Sequence, residues 1–194
     1  MNTLVIEQTE QGDALIDIYS KLSKDRIFFV SDIIDEKQAT DLIASLILKD
    51  SEKDSEKITI FLNSNGGDIR NIFMIYDTMM LLKSPIEIVC NGIVSHESIL
   101  LLAAGTKGMR YATQHSNIVL TKLVHESSYY SDLTDAKKFL DRFKKDNKEY
   151  IACLAKHTSK TVAQIEKDSN NKLFLSPQQA VKYGLIDKVV KNKS

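Results

Sequence analysis

Proline is nearly missing from this 194-residue chain, which has two, and cysteine is as scarce, with only Cys90 and Cys153. With so few prolines, no low-complexity stretch and no internal repeat, nothing reads as a linker between domains. The cysteines have neither CxxC spacing nor histidines placed as metal partners, so neither a disulfide framework nor a zinc site is expected. Both read as small core residues. Net charge is missing too: 26 basic side chains balance 26 acidic ones, which leaves no electrostatic argument for nucleic acid or an anionic membrane as partner. No run approaches the roughly 20 apolar residues that span a bilayer. The opening MNTLVIEQTEQGD lacks the basic and apolar regions of a secretory signal, so the expected location is cytoplasmic, or an organelle in a eukaryote. No phosphate-binding loop occurs, and no cofactor or metal is expected of the chain itself.

What is present is a core. Hydrophobic residues make up 43% of the chain, enough for a single domain over residues 1–194. Residues 27–30 form a short apolar strand, and 35–48 place Ala39, Leu42, Ile43, Leu46 and Ile47 at helical spacing. The polar patches at 49–57 and 127–135 read as exposed connections. Residues 58–62 are a buried-type strand, ended by Asn63-Ser64-Asn65-Gly66-Gly67, after which Asp68 is a candidate N-cap for a helix with Ile72, Ile75, Met79 and Leu82 on its inner face. Ser84-Pro85 stops that helix. The pattern repeats as a strand at 86–90 and a nearly all-apolar, hence buried, helix at 95–104. Another strand at 117–121, a long amphipathic helix at 132–158, short helices from Thr161 and from Ser176-Pro177, and a final strand at 185–190 complete the reading. Three strand–turn–helix units in succession predict an α/β domain with crossover connections.

Several segments, in order, resemble the ClpP peptidase subunits of ATP-dependent Clp proteases. They are VIEQT at 5–9, DIYSKLSKDRIFF at 17–29, the Asn63-Ser64-x-Gly66-Gly67 turn, IYDTM at 75–79, LLLAAGTKGMRYA at 100–112, AKHTSKTVAQIEKD at 155–168 and LFLSPQQAVKYGLIDKVV at 173–190. The resemblance implies a crotonase-like fold of repeated ββα units with a protruding handle helix, the handle region covering about 122–158 and residues 1–20 forming an axial loop. It also implies rings of seven stacked in pairs, a hexameric Clp ATPase as unfoldase partner, and catalytic ClpP paralogues as neighbours in the ring.

The same resemblance fixes the columns of the peptidase triad. Gly92 and Gly105 match without a gap, which puts His96 at the nucleophile's place; counting from Arg110-Tyr111-Ala112 puts Thr121 at the base's, and counting from Asp168 puts Lys172 at the acid's. Peptide hydrolysis by this route needs a hydroxyl or thiol, an imidazole to take its proton and a carboxylate to balance the imidazolium. A threonine hydroxyl is too weakly basic to replace the imidazole, and an ammonium at 172 disfavours a neighbouring cation. The resemblance leaves the backbone amides of Gly67 and Glu97 as oxyanion-hole donors.

The expectation is therefore a ClpR-like, noncatalytic subunit that shapes the chamber or its docking face. One alternative is an active endopeptidase with a rearranged site using Ser95 or Ser98, although Ser95 reads better as a helix N-cap and Ser98 as a small helix residue. A second is a nonproteolytic ring scaffold within the wider crotonase-like fold. Thr59, Phe61 and Leu81 fall where the family docks unfoldase loops, with Thr59 departing from apolar character. Of the remaining histidines, His115 reads as a turn residue, His157 as a family histidine outside the triad, and His125 as part of a segment, HESSYY, that departs from the family's glycine-rich strand.

Overall fold

The computed structural model describes residues 3–9, 12–124 and 132–191. Its centre is a seven-stranded sheet in which β3 (Ile27–Ile34), β4 (Ile58–Gly67), β5 (Ile86–Ser95), β6 (Arg110–Thr113) and β9 (Lys188–Val190) run parallel in that order. Helices α2 (Glu36–Glu52), α3 (Ile69–Leu81) and α4 (Ile99–Ala104) make the crossovers, and all six residues of α4 are buried. Buried strands with helical crossovers explain why 58–62 and 86–90 read as continuous apolar runs.

Strand β5 serves two neighbours. Its first half, Ile88–Cys90, pairs with β6, and its second half pairs Ile93, Val94 and Ser95 with Asn117, Ile118 and Val119 of β7 (Asn117–Leu120). The divergence falls at Gly92, whose φ is +152°. A side chain there would strike the Asn63 amide oxygen, which accepts a 2.9 Å bond from the Ile93 N–H. Strand β8 (Leu173–Leu175) then adds antiparallel to β7, with Leu120 opposite Leu173.

Helix α5 (Leu133–His157) is the long helix expected at 132–158, and α6 (Val162–Asn170) and α7 (Pro177–Tyr183) follow. Residues 125–131 of the proposed handle, with His125, lie outside the described residues. Asp68 caps α3 by accepting from the Arg70 N–H, and Ser176 with Gln179 forms a full capping box on α7. His115 sits in a turn.

Several boundaries differ from the sequence reading. Residues 63–67 continue β4 instead of ending it: Asn63, Ser64 and Gly67 pair with β3 and Ser64 with Val94 of β5, across an irregularity at Gly66, whose φ is +102°. Lys49 is a buried residue of α2 and not part of an exposed connection, its ammonium carried out to Glu52 at 2.8 Å. The segment 95–98 opens as a 3-10 turn before α4, and the last strand starts at Lys188. The N-terminal part of the chain holds a hairpin of β1 (Leu4–Thr9) and β2 (Gly12–Asp17), then α1 (Ile18–Lys24). Leu4, Ile6 and Leu15 are exposed on the hairpin, which is tied to α1 by Glu7 accepting from Lys21 at 2.7 Å and from Lys24.

Two buried arginines lock the sheet. Arg26, at φ +62°, donates to the carbonyls of Lys49, Glu56 and Lys57 and to the Ser84 hydroxyl at 2.7–3.2 Å. Arg110 forms a two-pronged pair with Asp187, Nε and Nη2 at 2.9 and 2.6 Å, and donates from Nη1 to the carbonyls of Ala103 and His157. Asp187 accepts in addition from the Gly108 and Arg110 amides at 2.7 and 3.1 Å. Burial works to raise the Asp187 carboxyl, but the Arg110 guanidinium and these amides outweigh it and hold it below its ordinary value. Cys90 and Cys153 are buried free thiols, as read. No helix among the described residues is long and apolar enough to cross a membrane.

Candidate functional site

The topology brings together the three positions singled out from the sequence. His96 follows the last residue of β5, which pairs with Val119 of β7; Thr121 follows β7; and Lys172 precedes β8. Carrying the antiparallel register one step past Leu120 and Leu173 sets Thr121 opposite Lys172. His96 and Lys172 both hold left-handed backbone, φ +53° and +51°, which side chains rarely adopt. Such strain persists only where the surroundings over-determine it. Here the Tyr150 hydroxyl, on a fully buried ring, donates to the His96 carbonyl at 3.0 Å.

The side chains in these places do not form a proton relay. The imidazole of His96 lies with Nδ1 3.1 Å from the Ser95 hydroxyl oxygen. Thr121 is buried and its hydroxyl has no hydrogen-bond partner among the described residues. Lys172 is exposed and holds its ammonium over the Phe174 ring, 5.6 Å from the centroid.

The flanking serines are committed elsewhere. Ser95 is 2% exposed and donates to Asn65 Oδ1 at 3.0 Å. Its one proton thus spent, its oxygen is left to accept from His96, the reverse of the transfer a nucleophile needs. Ser95 occupies the position before the 3-10 turn, but its side chain makes no capping bond. Ser98 is fully buried, its one proton shared between the carbonyls of Ser95 and Ser64 at 2.6 and 2.9 Å.

Glu97 departs furthest from the sequence reading, which used only its amide. Its carboxylate, on a residue 5% exposed, turns back over the turn, and Oε2 accepts from the Gly67 N–H at 3.4 Å. Burial raises its pKa; its own amide, those of Gly67 and Val124, and the nearby His96 pull it down only in part. Glycine at 66, with φ +102°, makes the room, since a Cβ there would overlap that same oxygen. A carboxylate next to a nucleophile position at the start of an apolar run was the available signal: at the head of a buried helix it has few polar groups to face except backbone amides.

These residues line a cleft of about 640 Å³ walled by Asn65, Gly67, Asp68, His96, Glu97 and Val124. A smaller cavity of about 140 Å³ continues from it toward Leu123, Phe139 and Phe143. Among the described residues no cluster of three or more potential metal ligands occurs. His157 stands away from the cleft, with Nε2 3.0 Å from the Tyr76 hydroxyl; burial, then Arg110 and Lys156, lowers its pKa.

On another face, Thr59 donates to Glu87 at 3.0 Å, Phe61 stacks on Phe29 with centroids 5.1 Å apart, and Leu81 is 83% exposed at the end of α3. Phe29 also lines a groove of about 400 Å³ between β3 and α2, with Tyr19 and Leu42. The described structure thus sets Phe61 beside a groove, while Thr59 is engaged with an acid.

A parallel sheet fed by helical crossovers, with a strained strand-to-helix turn facing two glycines on the adjacent strand, is the crotonase-like class of α/β fold. The family model for Clp protease matches residues 10–193, and the chain belongs to that family. Ring assembly and association with Clp ATPases are general properties of its members.

Proposed function

We propose that this chain is a noncatalytic, ClpR-like subunit of a Clp protease, co-assembling with catalytic relatives in paired rings of seven that take unfolded chains from a hexameric Clp ATPase. What carries the reading is the trio His96, Thr121 and Lys172 at the meeting point of β5, β7 and β8: an imidazole, an alcohol and an ammonium where attack, proton transfer and charge balance belong. Triads act as units, and loss of nucleophile or base alone costs on the order of 10^6 in turnover. Backbone donors left in such sites supply a residual factor of about 10^3 to 10^4 over water. A cytoplasmic location goes with the reading.

Native mass measurement of complexes purified from the source cells should find mixed rings that contain this chain, and the chain alone should cleave peptides at background rate. Rings made of this chain only, with cleavage at the rate of a competent protease, would sink the proposal.

A second reading, an active peptidase using Ser95, draws on the 3.1 Å Ser95–His96 contact. The burial of Ser95 and its donation to Asn65 oppose it. Fluorophosphonate labelling of the native chain that disappears in Ser95→Ala would establish it; no labelling would dismiss it.

A further inference from the structure

We propose that the Glu97 side chain is a built-in occupant of the oxyanion site, a block on acyl chemistry separate from the three substituted triad positions. The inference rests on the assignment of the cleft given above and extends it.

An oxyanion site works because two N–H groups wait, unsatisfied, about 2.7–3.1 Å from where negative charge will form. Here the Gly67 amide already points at Glu97 Oε2. The amides of Glu97 itself, the second donor of the site, and of Val124 also favour its charged form. The 3.4 Å bond is long, so the block does not depend on its strength. It depends on place: the Glu97 carboxyl oxygen already stands in the pocket that a tetrahedral intermediate's oxyanion would have to enter, and when ionised it would repel that charge as well.

Three features hold the group there. Glycine at 66 leaves the volume that the carboxylate fills, and any side chain at that position would overlap Oε2. The left-handed turn at His96 aims residue 97 back toward β4. The Tyr150 hydroxyl anchors the His96 carbonyl, so the turn cannot swing out without losing a buried hydrogen bond. None of these depends on what stands at 96, 121 or 172 as a side chain. Restoring those three alone should therefore leave the chain without acyl chemistry.

The test uses the full chain. His96→Ser/Thr121→His/Lys172→Asp and the same triple with Glu97→Ala are compared for their rates of labelling by a fluorophosphonate, read by intact mass. Labelling of the triple is expected within about threefold of background, and adding Glu97→Ala should raise it about 100-fold, the lower end of what an oxyanion donor contributes. A triple that labels as fast as the quadruple overturns the inference while leaving the noncatalytic reading intact. Labelling of the native chain overturns the noncatalytic reading instead.

A second measurement covers the case in which neither variant labels. The chain has seven glycines, so glycine-selective 15N spectra can isolate the Gly67 amide. Its shift should follow acidification of the native chain through the Glu97 titration and should stop doing so in Glu97→Gln, with Gly184, whose amide donates to the backbone carbonyls of Ala180 and Val181, as the control. A Gly67 resonance indifferent to both overturns the inference whatever the labelling result.

Discussion

Asp187, just before β9, and Glu97, just after β5, are both carboxylates drawn in from solvent, and their surroundings treat them in opposite ways. Asp187 meets the Arg110 guanidinium through two bonds and two amides besides, which together hold its pKa down against burial. Glu97 forms no ion pair among the described residues; burial pushes its pKa up, and the long bond from Gly67, its own amide, His96 and the Val124 amide offset that only in part. Where an acid serves the fold, its counter-charge is built beside it. At the cleft the carboxyl group has no such counter-charge among the described residues, and it sits on the strained turn that follows His96. Departures from local satisfaction of this kind gather at functional sites, where stability is given up for something else.

The sharpest way to break the contrast is Asp187→Ala, which strands the Arg110 guanidinium. Removing one partner of a buried pair costs about 3–5 kcal/mol, so urea denaturation of the assembled chain should show a loss of that size near neutral pH. Because the Asp187 pKa is lowered in the fold, its contribution is present above the ordinary value of 3.8 and is lost as pH falls through the folded value. The gap between native and variant should shrink accordingly in strong acid. A penalty under about 1 kcal/mol at neutral pH would refute the account of that pair.

Glu97→Gln should act with the opposite sign. A raised pKa means that the folded state binds the proton more tightly, so the native chain is favoured below the ordinary value of 4.5 and loses stability as pH climbs through the folded value. At neutral pH the amide should be more stable by about 1 kcal/mol, which corresponds to about 2–4 °C in Tm for a chain of this size. The difference should vanish below the glutamate range. Destabilisation at neutral pH, or a pH-independent difference, would remove Glu97 from the comparison.

The smallest effect is expected of Thr121→Val. Its hydroxyl is buried and has no partner among the described residues, so an apolar group of the same shape should change the unfolding free energy by less than about 1 kcal/mol, in the stabilising direction. A loss above that would reveal a hidden partner and bring the position closer in kind to Asp187.

The framework was legible because its signals are local or periodic. Apolar runs at 58–62 and 86–90, the stripe along α5, and the caps at Asp68 and Ser176 all map onto observed elements. The hairpin was not, since neither strand buries a face in the core and the sequence carries no alternation to betray it. Asn63–Gly67 misled for a different reason: residue types that favour turns were kept in the sheet by the pairing of Asn63, Ser64 and Gly67, with the irregularity confined to the middle. Sequence matching singled out His96, Thr121 and Lys172, which the strand registers set at the ends of β5, β7 and β8, with His96 alone of the three lining the cleft. It could not place the Glu97 carboxylate, whose direction depends on the backbone at His96 and on the space at Gly66, neither of which any single residue type encodes.

The Glu7 clamp has a consequence of its own. The β1–β2 hairpin shows Leu4, Ile6 and Leu15 to solvent and is fastened to α1 through one carboxylate shared by two lysines at the surface. Ionic attraction in water fades over about 8 Å at physiological salt and faster above it, whereas the packing of the sheet is not screened by ions. Of the hairpin's ties to α1, this one weakens as ionic strength rises, while the bond from the Ile18 N–H to the Thr3 carbonyl and the body beneath do not.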